Sequence, residues 1–101
     1  MTQDPLVVFK ALCDDKRLRI LELLRSGEKC ACHITDELDI AQSGLSYHMK
    51  VLCDSGLVKN RHDGKWTYYK IDLEGSKNAQ TLLKEITTIN PGQENFRCSC
   101  D

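Results

Sequence analysis

Six cysteines in a chain of 101 residues are the side chains most able to do chemistry. Four of them form two Cys-x-Cys pairs, Cys30 with Cys32 and Cys98 with Cys100. Paired thiols either bind soft metal or metalloid ions or form disulfides on oxidation. The sequence begins without the basic and apolar leader that precedes secreted disulfide-bonded miniproteins, so we expect reduced thiols and a cytoplasmic location.

Other residue patterns argue against an enzyme. A thiol oxidoreductase needs Cys-x-x-Cys at a helix start within a βαβ pattern, and the sequence has neither. It also lacks a glycine-rich phosphate loop, a Ser/His/Asp set and a carboxylate pair. No apolar run approaches the ~20 residues of a membrane span. We therefore expect a single domain that is neither catalytic nor embedded in a membrane.

Charge is unevenly distributed along the chain, although the formal net charge is only −1. Residues 1–40 and 71–101 each carry a balance of −2. Residues 41–70 carry five Lys or Arg against two Asp or Glu, a balance of +3. This central segment is the surface most able to bind a polyanion such as DNA, although charge alone is weak evidence.

Apolar periodicity and capping residues predict the elements that position these side chains. Helices are expected over about 4–13, 14–27, 31–38, 42–54 and 73–89. Strands are expected over 57–61 and 66–71, on either side of an Asp-Gly pair that favours a hairpin. The inward-facing residues of the first two helices should be Leu6, Phe9, Leu12, Cys13, Leu18, Leu21 and Leu24.

The order helix, helix, helix, helix, hairpin, helix is that of a winged helix-turn-helix, a mainly α fold with a β-hairpin wing (α+β). We expect residues 1–92 to form one DNA-binding and dimerisation domain, and residues 93–101 to form a cysteine-containing C-terminal tail. The first and last helices carry apolar stripes that a chain of this size leaves partly uncovered. Pairing across a two-fold axis would bury them, which predicts a homodimer.

In this fold the second helix of the helix-turn-helix enters the major groove of double-stranded DNA. The candidate contacts are polar residues on that helix and basic residues of the wing: Gln42, Ser43, Ser46, Tyr47, His48, Lys50, Arg61 and Lys65. His48 has two interpretations, a phosphate contact or packing against the neighbouring helix. The aromatic residues of the second strand, Trp66, Tyr68 and Tyr69, are expected to pack in the core rather than to stack on bases.

Three segments give the chain a specific family resemblance: LCDDKRLRILELLRSGE, KCACHITDEL and IAQSGLSYHMKVLCDSGLVKNRHDGKWTYYKI. Residues 12–69 resemble the ArsR/SmtB family of metal-responsive transcriptional repressors. The resemblance implies a homodimeric winged-helix repressor of a metal-resistance operon. Such a repressor leaves its operator when arsenite or antimonite binds cysteine thiolates.

The same resemblance implies where the ligand binds. Arsenic and cadmium sensors of the family carry a Cys-x-Cys at the start of the first helix of the helix-turn-helix, where this chain has Cys30 and Cys32. A third cysteine often follows three residues later, but Thr35 stands there. The tail pair, Cys98 and Cys100, is then the source of further thiolates. Three thiolates suit arsenite, and four suit cadmium, lead or zinc.

The spacing of Cys30 and Cys32 leads to one expectation about the helix and leaves one alternative function open. Residues i and i+2 of a helix point to nearly opposite faces, so one ion bound by both cysteines is expected to unwind the start of that helix. A thiol redox sensor that needs no metal remains an alternative.

Among the other cysteines, Cys13 is expected in the core, and Cys53 is expected to be a structural or merely exposed thiol. The last helix lacks histidine, so the zinc site that other relatives carry there is not expected.

Overall fold

The computed structural model of the chain describes residues 4–91. Its helices are α1 (Pro5–Ala11), α2 (Asp15–Leu24), α3 (Ala31–Leu38), α4 (Gln42–Asp54) and α5 (Leu73–Ile86). Its strands are β1 (Lys29–Cys30), β2 (Val58–Asp63) and β3 (Trp66–Ile71). The predicted order of helices and hairpin is confirmed, and β1 is an additional strand. Cys98 and Cys100 lie outside the described residues, as does the whole predicted tail, residues 93–101.

Aspartate side chains begin three of the five helices. Asp4 accepts a hydrogen bond from the backbone N–H of Leu6 at 3.0 Å, and Pro5 occupies the first helical position. Asp14 and Asp72 cap α2 and α5 in the same way. An acidic side chain at this position satisfies an otherwise unpaired N–H and favours the positive end of the helix dipole.

The turn between α3 and α4 depends on Asp39. This residue adopts a left-handed conformation with φ 53° and ψ 50°, and the N–H of Ile40 returns to the carbonyl of Thr35 at 3.2 Å. The two helices then pack over one apolar cluster that includes Ile34, Leu45 and Leu52. This tight turn fixes the direction in which α4 leaves the core.

The sheet has the strand order β1-β3-β2, and all pairs are antiparallel. Residues Gly64 and Lys65 alone connect the two hairpin strands, because β2 extends two residues further toward the tip than predicted. Gly64 has φ 64°, which suits the first central position of a two-residue turn of type II′. The short strand β1 places Cys30 opposite Tyr68.

The buried face of α1 differs from the predicted one. Val8 and Ala11 are fully buried, whereas Leu6 is 66% exposed and Cys13 is also exposed. The helix has only two turns, and its apolar residues nearly surround it, so periodicity does not determine which side faces inward. The expectations that Leu6 and Cys13 lie in the core are therefore wrong. Leu18 of α2 is likewise half exposed.

Helix α5 packs closely on the end of α4. A Cβ atom at Gly75 would lie 1.7 Å from the carbonyl oxygen of Gly56, so only glycine fits there. The N–H of Asp72 also donates to the carbonyl of Leu57 at 2.9 Å. Beyond this contact, α5 leaves large apolar side chains exposed, among them Leu83 and Ile86. No helix of the described chain is long and apolar enough to span a membrane.

Candidate DNA-reading surface and thiol pair

Helix α4 presents the predicted polar surface at its N-terminal end. Leu45, Met49 and Leu52 face the core and are buried. Four polar residues of the first turns are exposed: Gln42, Ser43, Ser46 and Tyr47. Ala41 precedes the helix without a capping side chain, so backbone N–H groups at this end are left for an outside acceptor. A DNA phosphate or base edge is an acceptor of this kind.

His48 packs against the neighbouring helices rather than facing outward. Its side chain is only 12% exposed. Nη1 of Arg17 donates to Nδ1 of His48 across 3.0 Å, and Asp14 lies 3.9 Å from the same nitrogen. Arginine has no acceptor atom, so Nδ1 of His48 is unprotonated in this contact. Of the two interpretations given to His48, packing is the one that these contacts support.

Arg17 positions α4, a role that the sequence-based predictions do not include. Its guanidinium is buried and also donates to the carbonyls of Lys10 and Ala11, at 3.1 and 2.8 Å. It therefore links the C-terminal end of α1 to α4. Arg17 lies in helical register with the buried Ile20 and Leu24. The sequence signal for such a buried arginine is a charged residue at a helix position where the pattern otherwise places apolar residues.

The basic residues predicted to contact DNA differ in the exposure of their side chains and in the partners that they already have. Lys50 is 74% exposed and pairs with Asp54 across 3.0 Å within α4. Lys65 lies at the wing tip, with its Nζ 5.5 Å from the ring centre of Trp66. Trp66 is itself 46% exposed, so the expectation that it packs in the core is wrong. Tyr68 and Tyr69 are only partly buried.

Arg61 lies away from the wing tip and already has partners. Its Nε and Nη2 each donate to the Glu28 carboxylate at 2.9 Å. Its guanidinium also lies 4.4 Å from the ring centre of Tyr68. The ion pair uses Nε and Nη2 and leaves Nη1 without a hydrogen bond to Glu28. That Arg61 contacts DNA stays a prediction.

The Cys30 and Cys32 thiols lie together at the start of α3. Their Sγ atoms are 3.0 Å apart, within hydrogen-bonding distance and well beyond a disulfide bond. Cys30 is not helical, because it ends β1 and is the N-cap of α3 with φ −72° and ψ 145°. The expectation that helix geometry separates the two thiols is therefore wrong. One ion can approach both sulfur atoms without unwinding the helix.

The two thiols influence each other's ionisation. The pKa of Cys30 is lowered, first by the hydrogen bond from the Cys32 thiol and further by backbone N–H groups of Cys32 and His33. The pKa of Cys32 is raised, first because its proton is held by Cys30, then by burial. The pair thus loses its first proton easily and its second reluctantly. When one proton is shared by the two sulfur atoms, the pair carries one thiolate, the form of cysteine that binds soft ions.

The remaining donors of a complete ion site are not among the described residues. Within residues 4–91, no group of three or more Cys, His, Asp or Glu side chains could hold a metal ion. The hydroxyl of Thr35 donates to the carbonyl of Cys32 at 3.0 Å, so the position of the missing third cysteine serves the backbone. Cys53 is half buried against the core, where burial raises its pKa, as expected of a structural thiol.

Comparisons with known proteins agree on one family. A model of bacterial regulatory proteins of the arsR family matches residues 14–60. An arsenical resistance operon repressor of Bacillus subtilis (strain 168) is 45% identical over 82 residues, covering 80% of this chain and 76% of that protein. A protein of the same description from Staphylococcus aureus is 37% identical, covering 92% and 85%. A solved ArsR family transcriptional regulator superposes with a TM-score of 0.73 at 26% identity, covering 85% of this chain and 92% of its own.

The family model covers the helix-turn-helix and the thiol pair, and the Staphylococcus aureus relative matches over 92% of this chain. Together with the exposed polar end of α4, they identify a DNA-binding regulator and not an enzyme. The chain belongs to the ArsR family of winged helix-turn-helix transcriptional repressors.

Proposed function

We propose that this repressor controls a metal-resistance operon and leaves its operator when arsenite or antimonite binds the Cys30 and Cys32 thiolates. The observation that carries the proposal is the 3.0 Å separation of the two sulfur atoms at the start of the helix-turn-helix. Thiolates are soft donors and prefer thiophilic ions to magnesium or calcium. The description of the Bacillus subtilis and Staphylococcus aureus relatives as arsenical resistance repressors supports the same ligand class.

The proposed DNA surface combines the exposed end of α4 with the wing tip. Its members are Gln42, Ser43, Ser46, Tyr47, Lys50 and Lys65. Two copies of this surface would read two half-sites of one operator. The apolar residues left exposed on α1 and α5, such as Leu6, Leu83 and Ile86, support a homodimer as the reading unit. Such a repressor acts where the DNA is, so we place it in the cytoplasm.

The ion site needs at least one more donor than the described residues supply. We assign this role to the tail thiols, Cys98 and Cys100. Three thiolates would hold arsenite or antimonite, whereas four would make a tetrahedral set for cadmium, lead or zinc. The number of bound thiolates therefore separates the metalloid inducers from the divalent ones.

A hollow beside the thiol pair gives the ligand a route to the DNA-reading helix. The hollow is lined by Cys32, His33 and Thr35 on α3 and by Gln42 at the start of α4. An ion with its remaining ligands in this hollow would lie next to the first residues of α4. Crowding there would disturb the end of the helix that is proposed to enter the major groove.

The test is the fluorescence anisotropy of labelled DNA from upstream of the gene, titrated with arsenite at fixed salt and with reduced protein. We expect wild-type protein to release DNA at about one ion per site. Cys30→Ser and Cys32→Ser should bind DNA and fail to release it. Cys13→Ser is the matched control, because this thiol is exposed and, within residues 4–91, the contact between two cysteine thiols is that of Cys30 with Cys32. Arsenite-driven release by the Cys30→Ser variant would contradict the proposal.

The same thiol pair favours a second candidate function, redox sensing. Peroxide would oxidise the two thiols to a disulfide while it is itself reduced to two molecules of water. The lowered pKa of Cys30 provides the thiolate that this reaction needs. Release of DNA by peroxide, reversed by a dithiol reductant, without response to arsenite would identify this function instead.

A further inference from the structure

Glu28, Arg61 and Tyr68 form one cluster across the sheet. Arg61 of β2 donates two hydrogen bonds, both of 2.9 Å, to the carboxylate of Glu28, which precedes β1. Between them runs β3, and its Tyr68 ring lies under the Arg61 guanidinium at 4.4 Å. The cluster thus joins the two outer strands of the sheet across the central one.

The cluster adjoins the thiol pair directly. Cys30 is paired with Tyr68 across β1 and β3, and Arg61 is paired with Tyr68 across β2 and β3. Directly opposite residues of antiparallel strands place their side chains on the same face of a sheet. The Cys30 thiol, the Tyr68 ring and the Arg61 guanidinium therefore share one face. Glu28 stands two residues before Cys30 in the same short segment.

The geometry of the cluster fixes the orientation of its members relative to one another. Arg61 and Glu28 have 54% and 29% of their side-chain surface exposed, and exposed ion pairs contribute little to folding. Their geometry is nevertheless bidentate and stacked, which fixes orientation. The strand β1, with only two residues, offers few other contacts to the hairpin. Orientation of the wing relative to Cys30 is the property that this arrangement controls.

We propose that the Glu28–Arg61–Tyr68 cluster transmits ligand binding at the Cys30 and Cys32 thiols to the wing, with Glu28 and Arg61 as positioning residues. This inference rests on the proposed function. An ion that draws Cys30 toward further donors shifts the segment that holds Glu28. The carboxylate then pulls the Arg61 guanidinium across Tyr68 and turns the hairpin. Arg61 acts through Glu28 and does not itself hold a phosphate.

Trp66 provides a direct readout of the wing. It is the single tryptophan of the chain, lies beside the hairpin turn and is 46% exposed. The experiment measures Trp66 fluorescence of DNA-free protein during an arsenite titration. Protection of thiols from a thiol-reactive dye reports binding of the ion independently. Wild-type protein is expected to show thiol protection together with a change in Trp66 emission.

The decisive variant is Glu28→Gln, which keeps the shape of the side chain and removes its charge. We expect it to retain thiol protection and to lose the Trp66 response. Its DNA affinity without arsenite should stay within about twofold of wild type. The ratio of DNA affinities without and with arsenite should fall by about 2- to 30-fold. Tyr68→Phe keeps the ring face and should behave as wild type, whereas Tyr68→Leu should resemble Glu28→Gln.

Glu22→Gln is the matched control. It removes another exposed carboxylate–arginine pair, with Arg25 at 3.3 Å at the C-terminal end of α2. A Glu28→Gln variant with the same Trp66 response and affinity ratio as Glu22→Gln would overturn the inference. So would an Arg61→Gln variant that loses DNA affinity equally with and without arsenite, because Arg61 would then be a phosphate contact. Failure of arsenite to protect the wild-type thiols would instead refute the proposed function.

Discussion

Replacement of Arg17 by methionine should destabilise the fold and disturb α4 at the same time. Methionine has a comparable length but supplies no hydrogen-bond donor. The guanidinium of Arg17 is buried, and it donates to Lys10, Ala11 and His48. The variant therefore leaves acceptors behind in a place that water does not freely reach.

The expected loss in the free energy of unfolding depends on which of these acceptors keep another hydrogen-bond donor. The Lys10 carbonyl also accepts from the N–H of Cys13 at 3.1 Å, so it remains satisfied. The Ala11 carbonyl and Nδ1 of His48 each lose the donor that Arg17 gives them. A buried acceptor left unpaired costs about 1–3 kcal/mol, so two of them give a loss of about 2–6 kcal/mol. That is a large part of the 5–15 kcal/mol by which a domain is typically stable.

Urea unfolding followed by circular dichroism measures this loss, at one fixed protein concentration because a dimer would make stability concentration-dependent. Arg19→Met is the matched control. It lies two residues along α2, is 58% exposed and only approaches Asp15, at 3.8 Å. Its effect should stay within about 0.5 kcal/mol. If Arg17→Met and Arg19→Met have equal stabilities, the reasoning about the Arg17 contacts is refuted.

Four further outcomes are expected. Gly75→Ala should cost about 3 kcal/mol or more in thermal unfolding, because its Cβ would overlap the carbonyl of Gly56. Asp14→Asn should lower the unfolding midpoint at neutral pH, and the difference should vanish as pH falls through the lowered pKa of Asp14, since only the ionised carboxylate stabilises. The affinity for cadmium, measured by competition with a chelator, should rise with pH up to the thiol pKa values, because a divalent ion displaces the thiol protons into solution. The affinity for arsenous acid should change little with pH, because its hydroxyl groups carry the thiol protons away as water. Ile86→Asp should convert the proposed dimer to a monomer in analytical ultracentrifugation, whereas Lys77→Asp, on the opposite side of α5, should not.

The elements that position the DNA-reading surface could be predicted from local signals. Helix bounds of 31–38 and 42–54 and strand bounds of 66–71 agree with the structure, because a turn or a cap marks each boundary. The buried side of α1 could not be predicted, since two turns with apolar residues on several sides have no single stripe. Strand β1 was missed because two residues carry no periodicity.

The sequence predicts which cysteines form the candidate site, but it does not predict how their thiols are arranged. The Cys-x-Cys pair was recognised, yet its convergence depends on one residue: Cys30 ends a strand, while Cys32 lies inside the helix. The i and i+2 rule holds only when both residues are helical. The partners of Arg17 and Arg61 were out of reach for a different reason. His48 and Glu28 lie 31 and 33 residues away along the chain, and only the tertiary fold brings them together.

The exposure of the thiol pair has a kinetic consequence. Cys32 is exposed and Cys30 is half buried, beside an open hollow rather than within the core. A small thiol from solution can therefore attack an ion bound there and replace one protein sulfur at a time. A buried site would first require local unfolding before its ion could leave. Under the proposed function, occupancy of this site would follow the concentration of free ion around it, and the repressor would return to its operator soon after that concentration falls.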